Sequence, residues 1–233
     1  MNKSLIIFLL LGLSFFRVVM QPAQAEMVQF DLNYVYSGTP PPGLNDPWAR
    51  ATFDDDNTAG SVTLILEALN LTDNEFITEW YFNFNPAKNL DSLAVDGASS
   101  DVSAVSSLGI ELAENNFKAG GNGFYDIFFD FPKSNGPSSD RFESGDVVTV
   151  AFDLLGLVAT DFDFLSTGEH GSQGSFASAA HIQAIGIDSE DSGWIADNPN
   201  PVPEPATMLL VGSGVIGLAG FGRQRLKKWL FKQ

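Results

Sequence analysis

The side chains best able to do chemistry in this chain are its carboxylates. The stretch "FDDDN" sets Asp54, Asp55, Asp56 and Asn57 side by side, gathering hard oxygen ligands of the kind that calcium takes six to eight at a time. Consecutive carboxylates point in different directions, and the spaced ligands of an EF-hand loop are absent. The preferred reading is a solvated acidic turn before a strand, with a calcium site as the alternative. Asp126 and Asp130, and likewise Asp161 and Asp163, recur at even spacing beside phenylalanines. On a strand that spacing puts both members on one face, where they could act as ligands or as an acid and base pair for polysaccharide hydrolysis. Simple alternation of an exposed face explains them equally. His170 lies in the glycine-rich and serine-rich "STGEHGSQGS", and His181 opens "HIQAIG". Neither belongs to H-E-x-x-H, no G-x-S-x-G elbow occurs, and the chain has no cysteine for thiol catalysis. Loop polarity for His170 and strand packing for His181 are the expected roles. No catalytic residue is assigned, and a non-enzymatic protein without a cofactor is expected.

Those residues sit in a body that reads as all β. "EMVQFDLNYVY" alternates with period two, setting Val28, Phe30, Leu32, Tyr34 and Tyr36 on one face and Gln29, Asp31 and Asn33 on the other. "GSVTLILEALN" and "FITEWYFNF" follow, the second presenting Phe76, Trp80, Phe82 and Phe84 on one face. Further strands are expected in "SLAVD", "IELA", "FYDIFFDF", "VVTVAFDLL", "DFDFL" and "AAHIQAIGI", with tight turns at Asp96-Gly97, Asn122-Gly123 and Asn135-Gly136. Short strands at fairly regular spacing predict an antiparallel β-sandwich of jelly-roll type. Many of the 20 phenylalanines fall in these strands and can supply the core that absent disulfides do not. Trp48, Trp80 and Trp194, with Tyr34, Tyr36, Tyr81 and Tyr125, offer flat rings that stack on sugars where exposed and fill a core where they are not.

The two ends differ from the body. Residues 1–25 order a positive charge at Lys3, an apolar run from Leu5 to Phe16 and a small-residue close at Ala23-Gln24-Ala25. This is the pattern of a secretory signal peptide cut after Ala25. A body of residues 26–196 is then expected, followed by a linker, 197–205, with proline at positions 199, 201, 203 and 205. Each proline removes a backbone donor and fixes φ, so the linker stays extended. Ala206 to Gly222 is a run of 17 uncharged residues, which as a helix spans roughly 26 Å and just crosses a bilayer core of about 30 Å. The tail, 223–233, opens with Arg223, Arg225, Lys227 and Lys228, and by the positive-inside rule these stay cytoplasmic while the body faces outward. Between Glu26 and Pro205 lie all 29 acidic residues, against Arg50, Lys88, Lys118, Lys133 and Arg141. Such a surface repels nucleic acid and anionic lipid, which removes nucleic acid from the partners considered.

Val202-Pro203-Glu204-Pro205, a short apolar span and a basic end together resemble the PEP-CTERM sorting signal of Gram-negative bacteria. The resemblance covers about the last 30 residues. It implies that exosortase, a multi-pass membrane transpeptidase-like enzyme of exopolysaccharide-making organisms, is the partner that handles this chain. Val202, Pro203, Glu204 and Pro205 would then be the recognition element, and Arg223, Arg225, Lys227 and Lys228 the retention cluster. Within the body, "EFITEWYFNFNPA", "KAGGNGFYDIFFDFP" and "AAHIQAIG" are similar to stretches of uncharacterised PEP-CTERM proteins, a likeness that implies no known activity. The resulting expectation is an envelope or matrix protein, exported by the Sec route, held in the inner membrane, then released to the surface or to exopolysaccharide. A carbohydrate-binding module is the alternative, and a polysaccharide-active hydrolase stands behind it.

Overall fold

The computed structural model describes residues 25–43, 47–96, 108–134, 140–168 and 174–197. Eleven strands account for nearly all of its regular structure: β1 (Met27–Gly38), β2 (Ala49–Asp54), β3 (Ser61–Ala68), β4 (Phe76–Phe82), β5 (Ala94–Asp96), β6 (Gly109–Ala119), β7 (Asn122–Asp130), β8 (Phe142–Glu143), β9 (Val147–Asp153), β10 (Ser178–Ile185) and β11 (Asp191–Asp197). Every pairing is antiparallel, as the alternation predicts. The strands join one hydrogen-bonded sheet in the order β5-β9-β3-β2-β1-β11-β10-β4-β7-β6, with β8 beside β4. The antiparallel pairing is as expected, and it forms one continuous sheet through β1 and β11.

The sheet curls. β2 and β4 are four places apart in that order, which in a flat sheet would separate them by roughly 19 Å. Phe53 of β2 instead meets Phe82 of β4 with ring centroids 5.1 Å apart. One face of the whole sheet is thus wrapped inward around Phe30, Phe53, Val62, Leu64, Trp80, Phe82, Phe129 and Phe152. Phe162, from the 3-10 turn Ala159–Phe162, stacks on Phe53 at 4.2 Å and closes this core. Offset and edge-on ring contacts of this kind add to the area that the rings bury.

Two irregularities change which side chains enter the core. Leu32 pairs with Asp197 but Tyr34 pairs with Ala196, so Asn33 is an extra residue on β1, and a single inserted residue reverses the facing of everything beyond it. Phe30 and Leu32 lie in the inner core, whereas Tyr36, with Tyr34 against it, packs in a second cluster on the outer face with Tyr81, Tyr125 and Phe176. The continuous face from Val28 to Tyr36 expected from the alternation is divided at that bulge. On β4, Glu79 pairs with His181 and Ile77 with Ile182, which makes Thr78 the extra residue. Ile77 takes the inward position expected for Phe76, and Phe76 instead carries the Arg141 guanidinium 4.0 Å from its ring centre.

Three further expectations are corrected. "DFDFL" is not a strand: Asp161 and Phe162 belong to the 3-10 turn, and Asp163 to Ser166 follow as irregular chain. The β6–β7 turn uses Gly120 and Gly121, at φ of +54° and +79°, with Asn122 already on the strand. Gly120 has a second reason to be glycine, because a Cβ there would stand 2.9 Å from the Trp194 ring. Finally, β2 and β11 are strands the alternation search passed over. In β2, Ala49, Ala51 and Phe53 face inward against Arg50, Thr52 and Asp54, a clean period masked by two small alanines. Asp96-Gly97 and Asn135-Gly136 extend outside the described residues.

Candidate functional site

The acidic turn follows β2 directly, and its carboxylates are used by its own backbone. Asp54 accepts from the Asp56 amide at 2.8 Å, and Asp55 accepts from the Asn57 amide at 3.2 Å. Asp56 and Asn57 have φ of +40° and +56°, a left-handed pair that Asp and Asn tolerate better than other side chains. Asp55 points inward and keeps 8% of its surface, while Asp56 and Asn57 remain exposed. Among the described residues no group of three His, Asp or Glu side chains gathers as a metal would require.

The members of each aspartate pair differ in surroundings: Asp126 and Asp161 are buried, whereas Asp130 and Asp163 are exposed. Asp126 is buried, and its two oxygens accept the Phe84 amide at 2.9 Å and the Asn115 amide at 2.7 Å. Asp130 is exposed and faces Lys133 at 3.8 Å. Asp161 is buried beside the Lys88 ammonium at 2.6 Å, and also accepts from Asn85 and from the Val158 amide. These buried carboxylates hold chain segments together: Asp126 ties the end of β4 to the irregular middle of β6, and Asp161 ties the 3-10 turn to the loop after β4. Near Asp126, Phe84, Asn85, Lys88, Glu114, Phe164 and Leu165 line a cleft of about 120 Å³. Asn83, with its amide nitrogen toward the Phe124 carbonyl and its oxygen toward the Ser166 amide, fastens one wall.

His181 and most of the rings named above meet on the outer face. His181 stacks on Trp194 with centroids 4.4 Å apart, and its Nδ1 shares a 3.0 Å hydrogen bond with the Thr78 hydroxyl. Burial lowers its pKa, so it is neutral at pH 7. Trp48, Trp80, Tyr36, Tyr81 and Tyr125 are buried, whereas Tyr34 and Trp194 are half-buried, as are Phe117 and Phe128 beside them. The Tyr36 hydroxyl, within the cluster these rings pack on, and both amide atoms of Asn122, at the start of β7, are buried without a hydrogen-bond partner. His170 lies outside the described residues.

Asp197, which no motif pointed to, is the most perturbed carboxylate of the body. It closes β11, its carboxylate accepts the Ser178 amide at 2.9 Å, and burial, opposed by backbone hydrogen bonds, pushes its pKa up to about 6. A folded-state value above the unfolded value of 3.8 means that the native protein holds this proton more tightly than the unfolded chain does. Its stabilising contribution is present below pH 4 and is lost as pH rises through 6. Asp197→Asn is expected to remove this dependence, flattening the stability curve between pH 4 and pH 6 by about 2 to 3 kcal/mol. Urea unfolding of both forms at pH 4, 5, 6 and 7 checks it, and parallel curves would reject it.

The segment with the strongest sequence signature, Val202 to Pro205 with Ala206 to Gly222 and the Arg223, Arg225, Lys227 and Lys228 cluster, lies outside the described residues. Among those that are described, no helix is long and apolar enough to cross a membrane. Neither the curated proteins nor the solved structures include a match to this chain. A family model described as the PEP-CTERM protein-sorting motif does match, and it covers residues 201–225. That range takes in Val202 to Pro205, the apolar run and the first two arginines of the basic end, in the order that the residues alone suggested. The chain is therefore a bearer of the PEP-CTERM protein-sorting motif, the mark of a protein that exosortase sorts to the cell exterior.

Proposed function

We propose that this protein is a non-enzymatic envelope or matrix component that exosortase delivers to exopolysaccharide at the cell surface. The sorting motif at residues 201–225 carries the reading. A signal peptide over residues 1–25 sends a sandwich-like β body to the periplasm, and the 206–222 helix holds it at the inner membrane with the basic end inside. Exosortase then acts near Pro203 to Pro205 and the body leaves the membrane. The acidic, cysteine-free body suits this route, since its stability rests on a buried aromatic core rather than on disulfide formation. Cell fractionation tests the proposal. In cells containing exosortase the body is expected at the surface or in the medium, and without the enzyme it is expected in the inner membrane; the same distribution in both strains would defeat it.

A second reading, a carbohydrate-binding module, is favoured by one observation. The half-buried rings of Tyr34, Phe117, Phe128 and Trp194 pack against the outer cluster that holds Tyr36, whose hydroxyl is unpartnered, and sugar recognition combines stacking faces with hydroxyl partners. Structural calcium at Asp54 to Asn57 would belong to this reading. Glycan-array binding with and without calcium decides it, and absence of binding under both conditions would remove it.

A further inference from the structure

Asp55 poses a problem that the bonds of its own turn leave unsolved. It is nine-tenths buried, and a buried carboxylate is costly unless a cation accompanies it. Among the described residues the ion pairs join Arg50 to Asp31, Lys88 to Asp161, and Lys133 to Glu79 and Asp130. None of these ends on Asp55. The group that does reach it is the main-chain nitrogen of Glu26, which donates to the Asp55 carboxylate at 2.9 Å, while the Asp55 amide returns a 3.2 Å bond to the Glu26 carbonyl. The Glu26 side chain is held as well, accepting from the Thr160 hydroxyl at 3.1 Å. Glu26 is thus fixed to two separate segments immediately before β1, and both it and Ala25 are exposed. A cleft of about 430 Å³ lies there, lined by Ala25, Glu26, Thr58 and Val158 among others.

We propose that Asp55 is the binding site for the α-ammonium group that removal of the leader creates at Glu26, so that maturation itself supplies the missing cation. The inference rests on cleavage after Ala25. Signal peptidase adds water across the Ala25–Glu26 amide; Ala25 departs with the new carboxylate, and the Glu26 amine takes up a proton. One N–H keeps its place on Asp55, and a hydrogen bond from a neutral amide to the carboxylate becomes an ion pair in which donor and acceptor are both charged. The start of β1 is then locked to the end of β2 by an ion pair where the precursor has only the amide hydrogen bond. The acidic turn, on this view, holds the protein's own new terminus and needs no metal. The other titratable groups of the elements around Glu26 are its own carboxylate, Asp54 and Asp56 at the turn, Asp31 of β1 and Arg50 of β2, which pair with each other, Asp161, which pairs with Lys88, and Asp163 at the end of the 3-10 turn.

The test uses protein purified after export, as the cells leave it. N-terminal sequencing establishes the first residue, and the α-amine is labelled by reductive methylation with 13C-formaldehyde and titrated by NMR. With Glu26 first, its midpoint is expected at least about one pH unit above the ordinary 7.7 to 8.0, as an adjacent carboxylate requires. Asp55→Asn, which keeps an acceptor oxygen for the fold, is expected to return it to the ordinary range, while Asp54→Asn and Asp56→Asn leave it raised. A first residue other than Glu26 overturns the cleavage reading and the proposal together. Glu26 first, with equal midpoints in wild type and Asp55→Asn, overturns the proposal alone. Should Asp55→Asn not be exported, an ordinary midpoint in the wild type has the same force, and a raised one supports the proposal.

Discussion

Replacing Pro203 and Glu204 together by alanine is expected to leave the protein in the inner membrane at full length, with release from the cell falling to background. Pro201, Pro203 and Pro205 each fix φ and withhold a backbone donor, the property that would let an enzyme read such a segment in extended form at little further entropic cost. Glu204 is the one charge between Asp197 and the basic end, and it gives that strand a recognisable point. Removing both features leaves the apolar run and the Arg223, Arg225, Lys227 and Lys228 cluster untouched, so anchoring continues while processing stops. Immunoblotting of membrane and medium fractions checks this. Release equal to wild type would mean that the motif residues are not what the enzyme reads.

Phe53→Ala is expected to cost about 3 to 5 kcal/mol, the range for deleting a fully buried aromatic ring. Phe53 has no exposed surface and touches four rings, with centroids 4.2 Å away at Phe162, 5.1 Å at Phe82, 6.2 Å at Phe30 and 6.5 Å at Phe152. Those partners come from the 3-10 turn, β4, β1 and β9, so one side chain joins strands that lie far apart in the order of the curled sheet. The void left behind cannot close without moving strands that are fixed by their ladders. Native stabilities are about 5 to 15 kcal/mol, and no disulfide limits the unfolded chain. Guanidinium unfolding is expected to show the loss in full, with Phe53→Leu much milder. A change below about 1 kcal/mol would place the core elsewhere.

The strands were legible where one face is apolar and the other polar, as in β3 and β9, whose burial alternates without a break. β1 was legible only in part because apolar side chains occupy both faces just beyond Asn33, Tyr34 and Val35 half-buried and Tyr36 buried. Tyr34 and Tyr36 continue the apolar period although the bulge turns them outward, so the sequence carries no polar residue to betray the reversal. The same holds on β4, where Phe76, Ile77, Trp80, Tyr81 and Phe82 are all buried and periodicity cannot choose between Phe76 and Ile77. "DFDFL" alternates as a strand does, yet Asp161 uses its side chain to cap its own turn through the Val158 amide, a local bond that competes with sheet pairing. The sorting motif was legible because composition alone, proline then apolar then basic, marks it, and the family model matches residues 201–225. The Glu26 and Asp55 contact was only half visible: the A-x-A close and the acidic turn are 29 residues apart, and pairing of β1 with β2 is what brings them together.

The account stands on the chain being cut at its sorting motif. Intact-mass determination of the protein recovered from outside cells that contain exosortase measures this directly. A mass that begins at Glu26 and ends near Pro203 to Pro205, lacking the apolar run and the basic end, is the predicted result; a molecule still carrying Arg223 to Gln233 would contradict it.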